Sequence, residues 1–325
     1  QRLSRGLGDV YKRQYQKIVA TYKTKIIDKI SKFFIDGQQN IIQSFVTLDT
    51  KAIAHKENWK KRKFFYGKSI SLSGSHHEKS VANFSVVSGN KLPSASLNNI
   101  KLVEGDEFIA SGLSVIAHPN NPNIPTSHMN GRIFVLLRER KIHDWWIGGG
   151  YDLTPYLFNR SDTILWHKNS KEFLDNYNQK LYKKFSKNCD EYFYLSHRNE
   201  RRGVGGIFFD NFKFNDMDSS LLFLKNMFLI YQDTYNTIFN KRMDRPFSNL
   251  QRDFQLYRRG RYVEFNLLHD RGTKFGIQSN GRTESILGSL PPLVTWPNKK
   301  PKTIINMEQK LIQQTSKNWS KEIDT

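Results

Sequence analysis

The stretch HPNNPNIPTSHMNGR, His118 to Arg132, puts two imidazoles and a guanidinium among three prolines in fifteen residues. Proline fixes its own φ and pushes the residue before it toward extended geometry, which suits a stiff, irregular segment that holds side chains in place. An imidazole moves protons near neutral pH, and a guanidinium offers a planar fork to a carboxylate. Downstream, WWIGGGYDLTPY (Trp145 to Tyr156) sets three glycines before Asp152. Glycines inside a strand mark a bulge or a close approach, so a flat ligand could lie on bare backbone there. Asp152, at the rim, is a candidate general base if its pocket raises its pKa.

Arginine recurs beside glycine at Asn130 to Arg132, at Arg258 to Arg261 and at Asn280 to Arg282. Three such sites without a phosphate-binding motif point to a ligand with several carboxylates. Of nine histidines, His118, His128, His167 and His197 stand in suggestive settings for a histidine-only metal site, though no helical ligand spacing such as HExxH links them. For each one alone, a hydrogen-bonded structural role is the commoner outcome.

These residues need a scaffold. The chain has 325 residues, 38% of them apolar, and a formal net charge of +21. The commoner source of such a charge is a lysine-rich solvated surface; the sharper reading is an anionic partner. No apolar run is long enough to span a bilayer. One cysteine, Cys189, allows no intrachain disulfide and fits a reducing compartment. Apolar periodicity predicts helices over residues 15–34, 38–48, 170–189, 219–239 and 308–319. Runs rich in β-branched and aromatic residues predict strands over 69–73, 81–87, 107–118, 132–138, 143–154, 204–210 and 260–269. The basic-aromatic segment ENWKKRKFFYG (Glu57 to Gly67) reads as a loop. Short turns between adjacent strands favour antiparallel pairing. The expected fold is α+β, one domain over 15–325 with a large antiparallel sheet flanked by helices on both faces. Residues 1–14 are basic, lack the apolar core of a secretory signal, and are set aside as extraneous.

Four segments carry a specific likeness: SGLSVIAHPNNPNIPTSHMNGRIF, WWIGGGYDLTPY, CDEYFYLSHRNERRGVGGIFFDNF and FQLYRRGRYVEFNLLHDRGTKFGIQSNGRTESILGSLPPLVTW. Together, and in this order, they resemble the oxygen-dependent coproporphyrinogen III oxidase family from about Trp59 to Trp296. The resemblance implies oxidative decarboxylation of two propionates of coproporphyrinogen III to vinyl groups, giving protoporphyrinogen IX in haem biosynthesis. Dioxygen would be the oxidant, with no organic cofactor, in a homodimer that binds no nucleic acid, and the lack of a clear targeting peptide favours the cytoplasm. An organellar address stays open if the native N-terminus is missing. Carried over by position, His128 is the proton donor, with Asp152 and Arg132 in the chemistry. Ser114, Asn130, Gly131, Arg132, Asn280, Gly281 and Arg282 contact substrate. His118, His128, His167 and His197 fall on proposed divalent-metal positions. Two other readings stay open: a histidine-ligated metal-dependent oxygenase, and a basic nucleic-acid-binding protein.

Overall fold

The computed structural model describes residues 2–91, 103–139 and 141–323, with side chains from residue 22 onward. Seven strands form one antiparallel sheet: β1 (Ile53–Arg62), β2 (Phe65–Ser73), β3 (His77–Gly89), β4 (Glu107–Pro119), β5 (Thr126–Arg138), β6 (Lys141–Thr154) and β9 (Gly205–Phe212), neighbours in that order. Two short strands, β7 (Tyr194–Leu195) and β8 (Glu200–Arg201), pair outside it. The helices are α1 (Arg2–Leu48), α2 (Arg160–Asp175), α3 (Gln179–Tyr192), α4 (Met217–Arg242), α5 (Asn249–Leu268), α6 (Arg271–Gln278), α7 (Thr283–Ile286), α8 (Lys302–Thr315) and α9 (Trp319–Glu322).

Strand side chains alternate between faces, and directly paired residues share a face. Leu113, Val115, Met129, Ile133 and Tyr151 therefore point one way, into a core with α1, α2 and α4. Burial of such aliphatic and aromatic surface supplies the main driving force, about 25 cal/mol per Å² removed from water. The opposite face carries Ser114, His128, Asn130 and Arg132, and α5 to α7 cover it. The expected α+β architecture, with helices on both faces of an antiparallel sheet, is what the chain forms.

Several boundaries differ from the reading by periodicity. Residues 15–34 and 38–48 belong to one helix, because Gly37 stays helical and lets Phe228 of α4 approach: a Cβ there would lie 3.1 Å from that ring. Residues 170–189 are two helices, since the Asn178 side chain accepts a hydrogen bond from the Lys180 amide and starts α3 afresh. The Glu57 to Gly67 loop is the hairpin β1–β2, with Trp59 opposite Gly67. Residues 260–269 are not a strand but the end of α5. That helix begins at a reciprocal capping box between Ser248 and Gln251 and buries Phe254, Tyr257, Arg258, Arg261, Tyr262 and Phe265 at helical spacing. The proline segment narrows to a turn between β4 and β5; His128 and Arg132 are fixed by strand pairing instead.

Candidate active site

The cavity between the sheet and its helical cover has a volume of about 390 Å³. Strand alternation delivers its polar wall: Ser114 pairs with Asn130, and Arg132 with Gly112 on one side and Gly148 on the other. Aromatic side chains complete it, among them Tyr192 and Phe208, stacked with ring centres 4.2 Å apart. The cover is latched to the sheet by polar contacts. Asn83 donates to the Ser285 carbonyl (3.0 Å), Lys79 to that of Leu290 (2.8 Å) and Lys61 to that of Gly281 (3.0 Å).

His128 lines the cavity and donates from Nδ1 to Asp152 Oδ1 at 3.1 Å, so its Nε2 has no protein partner among the described residues. Asp152 does not line the cavity. It sits behind His128, 2% exposed, and accepts from Arg202 Nη2 at 2.7 Å and Nε at 3.3 Å. Burial pushes its pKa up, but the Arg202 charge and the His128 hydrogen bond outweigh that and hold it below the ordinary carboxylate value. This corrects the expectation of a rim carboxylate with a raised pKa. A carboxylate so held is a weak base, suited to orienting its two partners. Arg202 itself is 3% exposed and lies over the rings of Phe193 and Tyr262 at 4.2 and 4.3 Å.

Arg132 pairs with Asp210 at 3.0 Å and donates more weakly to Asn130 Oδ1 at 3.4 Å. Desolvation favours its neutral form, yet the Asp210 carboxylate wins and raises its pKa. The triple glycine serves protein packing. A Cβ at Gly148 would stand 2.8 Å from both Arg132 Nε and Asp210 Oδ1, one at Gly149 2.5 Å from the Asn130 carbonyl, and one at Gly150 2.0 Å from the Ile207 carbonyl. The glycines make room for an ion pair and a tight strand crossing, and all three also line the cavity.

The other expected contacts divide. Gly281 and Arg282 line the cavity, with Arg282 held by Glu57 in two 2.7 Å bonds. Asn280 is exposed, at φ 54°, outside the lining. Gly131 faces away, where a Cβ would meet Phe228 at 2.5 Å. The Arg258 to Arg261 cluster does not reach the cavity either. Arg258 and Arg261 pair with Glu200 and Glu308, and Arg259 with Glu78.

The four histidines do not converge. His118 Nε2 donates to the Ser289 carbonyl (2.9 Å) and its Nδ1 accepts from Thr126 (3.3 Å). His167 Nε2 donates to the Val204 carbonyl (2.9 Å) and its Nδ1 accepts from Tyr182 (3.0 Å). His197 contacts Glu264 and His269 at 2.9 and 3.0 Å. No two of the four share a partner in these bonds, and the lone pairs a metal would need on His118 and His167 are taken by hydroxyls. Among the described residues no three His, Cys, Asp or Glu side chains are grouped to hold a metal ion. The expected quartet does not fit a shared ion. Burial pushes the His167 pKa down to about 4 and that of His118 well below its usual value.

Sequence reading missed Arg202, Asp210 and Arg271. Arg202 lies within CDEYFYLSHRNERRGVGGIFFDNF, but only its partner, Asp152, distinguishes it from the arginines beside it.

An open-mouthed cavity between an antiparallel sheet and a helical cover, with guanidiniums and aromatic rings on its wall, has the chemistry to suit a flat, polyanionic small molecule. The family described as Coproporphyrinogen III oxidase matches residues 29–320. A protein named oxygen-dependent coproporphyrinogen-III oxidase from Wigglesworthia glossinidia brevipalpis is 46% identical over 265 residues, 81% of this chain and 88% of that protein. One of the same name from Francisella tularensis subsp. holarctica (strain OSU18) is 43% identical over 295 residues, covering 88% and 96%. The chain belongs to the coproporphyrinogen III oxidase family.

Proposed function

We propose that this chain is an oxygen-dependent coproporphyrinogen III oxidase of haem biosynthesis, converting two propionates of its substrate to vinyl groups. Each propionate carboxylate loses CO₂ and, from the carbon next to the pyrrole, one proton and two electrons. Dioxygen accepts the electrons. The observation that carries the reading within this family is the cavity wall: Arg132, Arg202, Arg271 and Arg282 around aromatic surface, matched in chemistry to a macrocycle with four carboxylates.

In this reading Arg132 and Arg282 hold carboxylates, while Ser114, Asn130 and Gly281 bound the ring. His128, anchored through Nδ1, presents Nε2 as the group that gives or takes a proton. Asp152 is a positioning residue, acting through His128 and Arg202. Gly131 and Asn280 act by shaping backbone, and His118, His167 and His197 by holding local structure. Residues 15–325 form the catalytic domain. The lone, buried Cys189 supports a reducing compartment, the cytoplasm, and no helix of the described residues is long and apolar enough to cross a membrane. The exposed apolar side chains Leu267, Leu268, Ile277, Leu293 and Trp296 supply surface that a homodimer would cover, which light scattering tests.

The test of function is direct. Purified protein is given coproporphyrinogen III in air and under argon, and the product is oxidised and read by porphyrin fluorescence. Protoporphyrin forming in air alone is expected; no oxygen-dependent conversion overturns the proposal.

A further inference from the structure

Among the described residues four guanidiniums line the cavity, and three already make close bonds to protein groups, two of them (Arg132 and Arg282) with donors left over for a carboxylate. Arg202 makes two hydrogen bonds to Asp152 and one to Asn266; Arg282 makes two to Glu57; Arg132 is paired with Asp210 at 3.0 Å and bonded to Asn130. Arg271, the first residue of α6, differs. Its guanidinium makes no hydrogen bond among the described residues. Its one ion pair is a loose contact of 3.5 Å to Asp210 Oδ2, and its side chain is 41% exposed. It rests over the Tyr192 and Phe208 rings, 5.0 and 5.6 Å from their centres, which fixes the plane of the fork without using its N–H donors.

Asp210 therefore faces two cations, Arg132 through Oδ1 and Arg271 through Oδ2. The other carboxylate on the cavity wall, Asp270, is already satisfied: it accepts from Tyr192 Oη (2.8 Å), the Thr273 amide (2.7 Å) and Thr273 Oγ1 (2.9 Å). The corner thus balances two guanidiniums against two carboxylates, and only the Arg271 fork makes no hydrogen bond among the described residues, leaving its five donors free for a ligand. A planar carboxylate fits such a fork in two parallel hydrogen bonds.

We propose that Arg271 grips one carboxylate of the macrocycle, with Asp210 holding Arg271 and Arg132 on either side of the entering group. The inference rests on the proposed function and adds a binding residue to it. It also gives the cover a part in recognition, because Arg271 stands on α6 while Arg132 stands on the sheet. A ligand carboxylate seated there ties the two together.

The test uses stable, oxidised porphyrins as probes, with binding followed by fluorescence quenching. Coproporphyrin III carries four carboxylates; a dicarboxylate porphyrin is the comparison. R271L should weaken coproporphyrin III binding about tenfold or more, as expected for a lost charge-assisted contact, and narrow the preference for four carboxylates over two by a similar factor. R271K, which keeps charge but not the fork, should lie between R271L and wild type. R245L, at an exposed arginine beyond α4, should bind as wild type does. R271L within twofold of wild type, or a matching loss in R245L, overturns the inference alone. Wild-type protein that fails to bind coproporphyrin III overturns the proposed function with it.

Discussion

Replacing Asp152 by Asn keeps the side chain's size and removes its charge, which strands Arg202. The two groups are 2.7 Å apart and their side chains are 2% and 1% exposed, so the guanidinium left behind cannot recover its hydration. Breaking one side of such a buried pair costs about 3–5 kcal/mol. With roughly 2.1 cal/mol/K of unfolding entropy per residue, a chain of 325 residues loses about 4–7 °C in melting midpoint. The double variant Asp152→Asn, Arg202→Met removes both charges and should cost less than the sum of the single changes by about 2–4 kcal/mol. Urea unfolding of the four proteins measures this coupling. A coupling below about 1 kcal/mol would refute the pairing. The same variant tests positioning of the histidine: nitrogen-resolved NMR should find His128 protonated on Nδ1 in the wild type and mixed between tautomers in Asp152→Asn. An unchanged tautomer would show that Asp152 does not set it.

Gly148→Ala puts a methyl group 2.8 Å from both members of the Arg132–Asp210 pair, and a displacement of about 1 Å there should lower kcat/KM roughly 100-fold with little loss of secondary structure; wild-type kinetics would deny the pair a role in turnover. Gly131→Ala drives a Cβ to 2.5 Å from Phe228 on the far face of the sheet, and overpacking should cost about 1–3 kcal/mol in unfolding free energy while KM stays constant in the folded protein. Burial holds the pKa of His77 and His167 at about 4, below the unfolded value near 6.5. The unfolded chain binds the extra protons, so this stability is complete above about pH 6.5 and is lost toward pH 4, roughly 3 kcal/mol for each ring. Midpoints measured at pH 7, 5.5 and 4.5 should fall, and less steeply in His167→Gln; a flat profile would contradict the assignment.

The central strands were legible because fully or half-buried strands are rich in β-branched and aromatic residues, as in SVIAH of β4 and GGIFFD of β9. The start of β5 was not, because the prolines just before Thr126 look like a longer irregular segment until the pairing of His128 with Ile116 and Asp152 is seen. The hairpin β1–β2 hid behind its charge. Nearly every side chain of β1 is exposed, so neither face writes an apolar pattern, and lysines on a sheet edge are themselves a way to block further pairing. GRYVEFNLLH reads as a strand over ten residues because Val263, Phe265 and Leu267 alternate with Glu264 and Asn266, whereas the spacing of three between the buried Tyr262 and Phe265 is helical. The cap that decides it, Ser248 with Gln251, lies more than a turn upstream of any residue in that window.

The site divides along the same line. His128, Asn130 and Arg132 sit two apart on one strand, so local spacing alone brings them to one face. Arg202, Asp210 and Arg271 come from three different elements and meet only through tertiary structure. Arginine type alone cannot sort them. Arg258, Arg261, Arg202 and Arg271 are alike in composition and in glycine-flanked context, and what separates a structural cation from one open to ligand is the carboxylate it finds. Glu200 and Glu308 close off the first two in buried networks, Asp152 occupies the third, and the fourth meets only a carboxylate already shared with Arg132. Recognition of a polyanion therefore draws on paired arginines with donors to spare, such as Arg132 and Arg282, and on one the fold leaves under-paired, Arg271, and that last distinction is a property of the assembled charges that no linear motif contains.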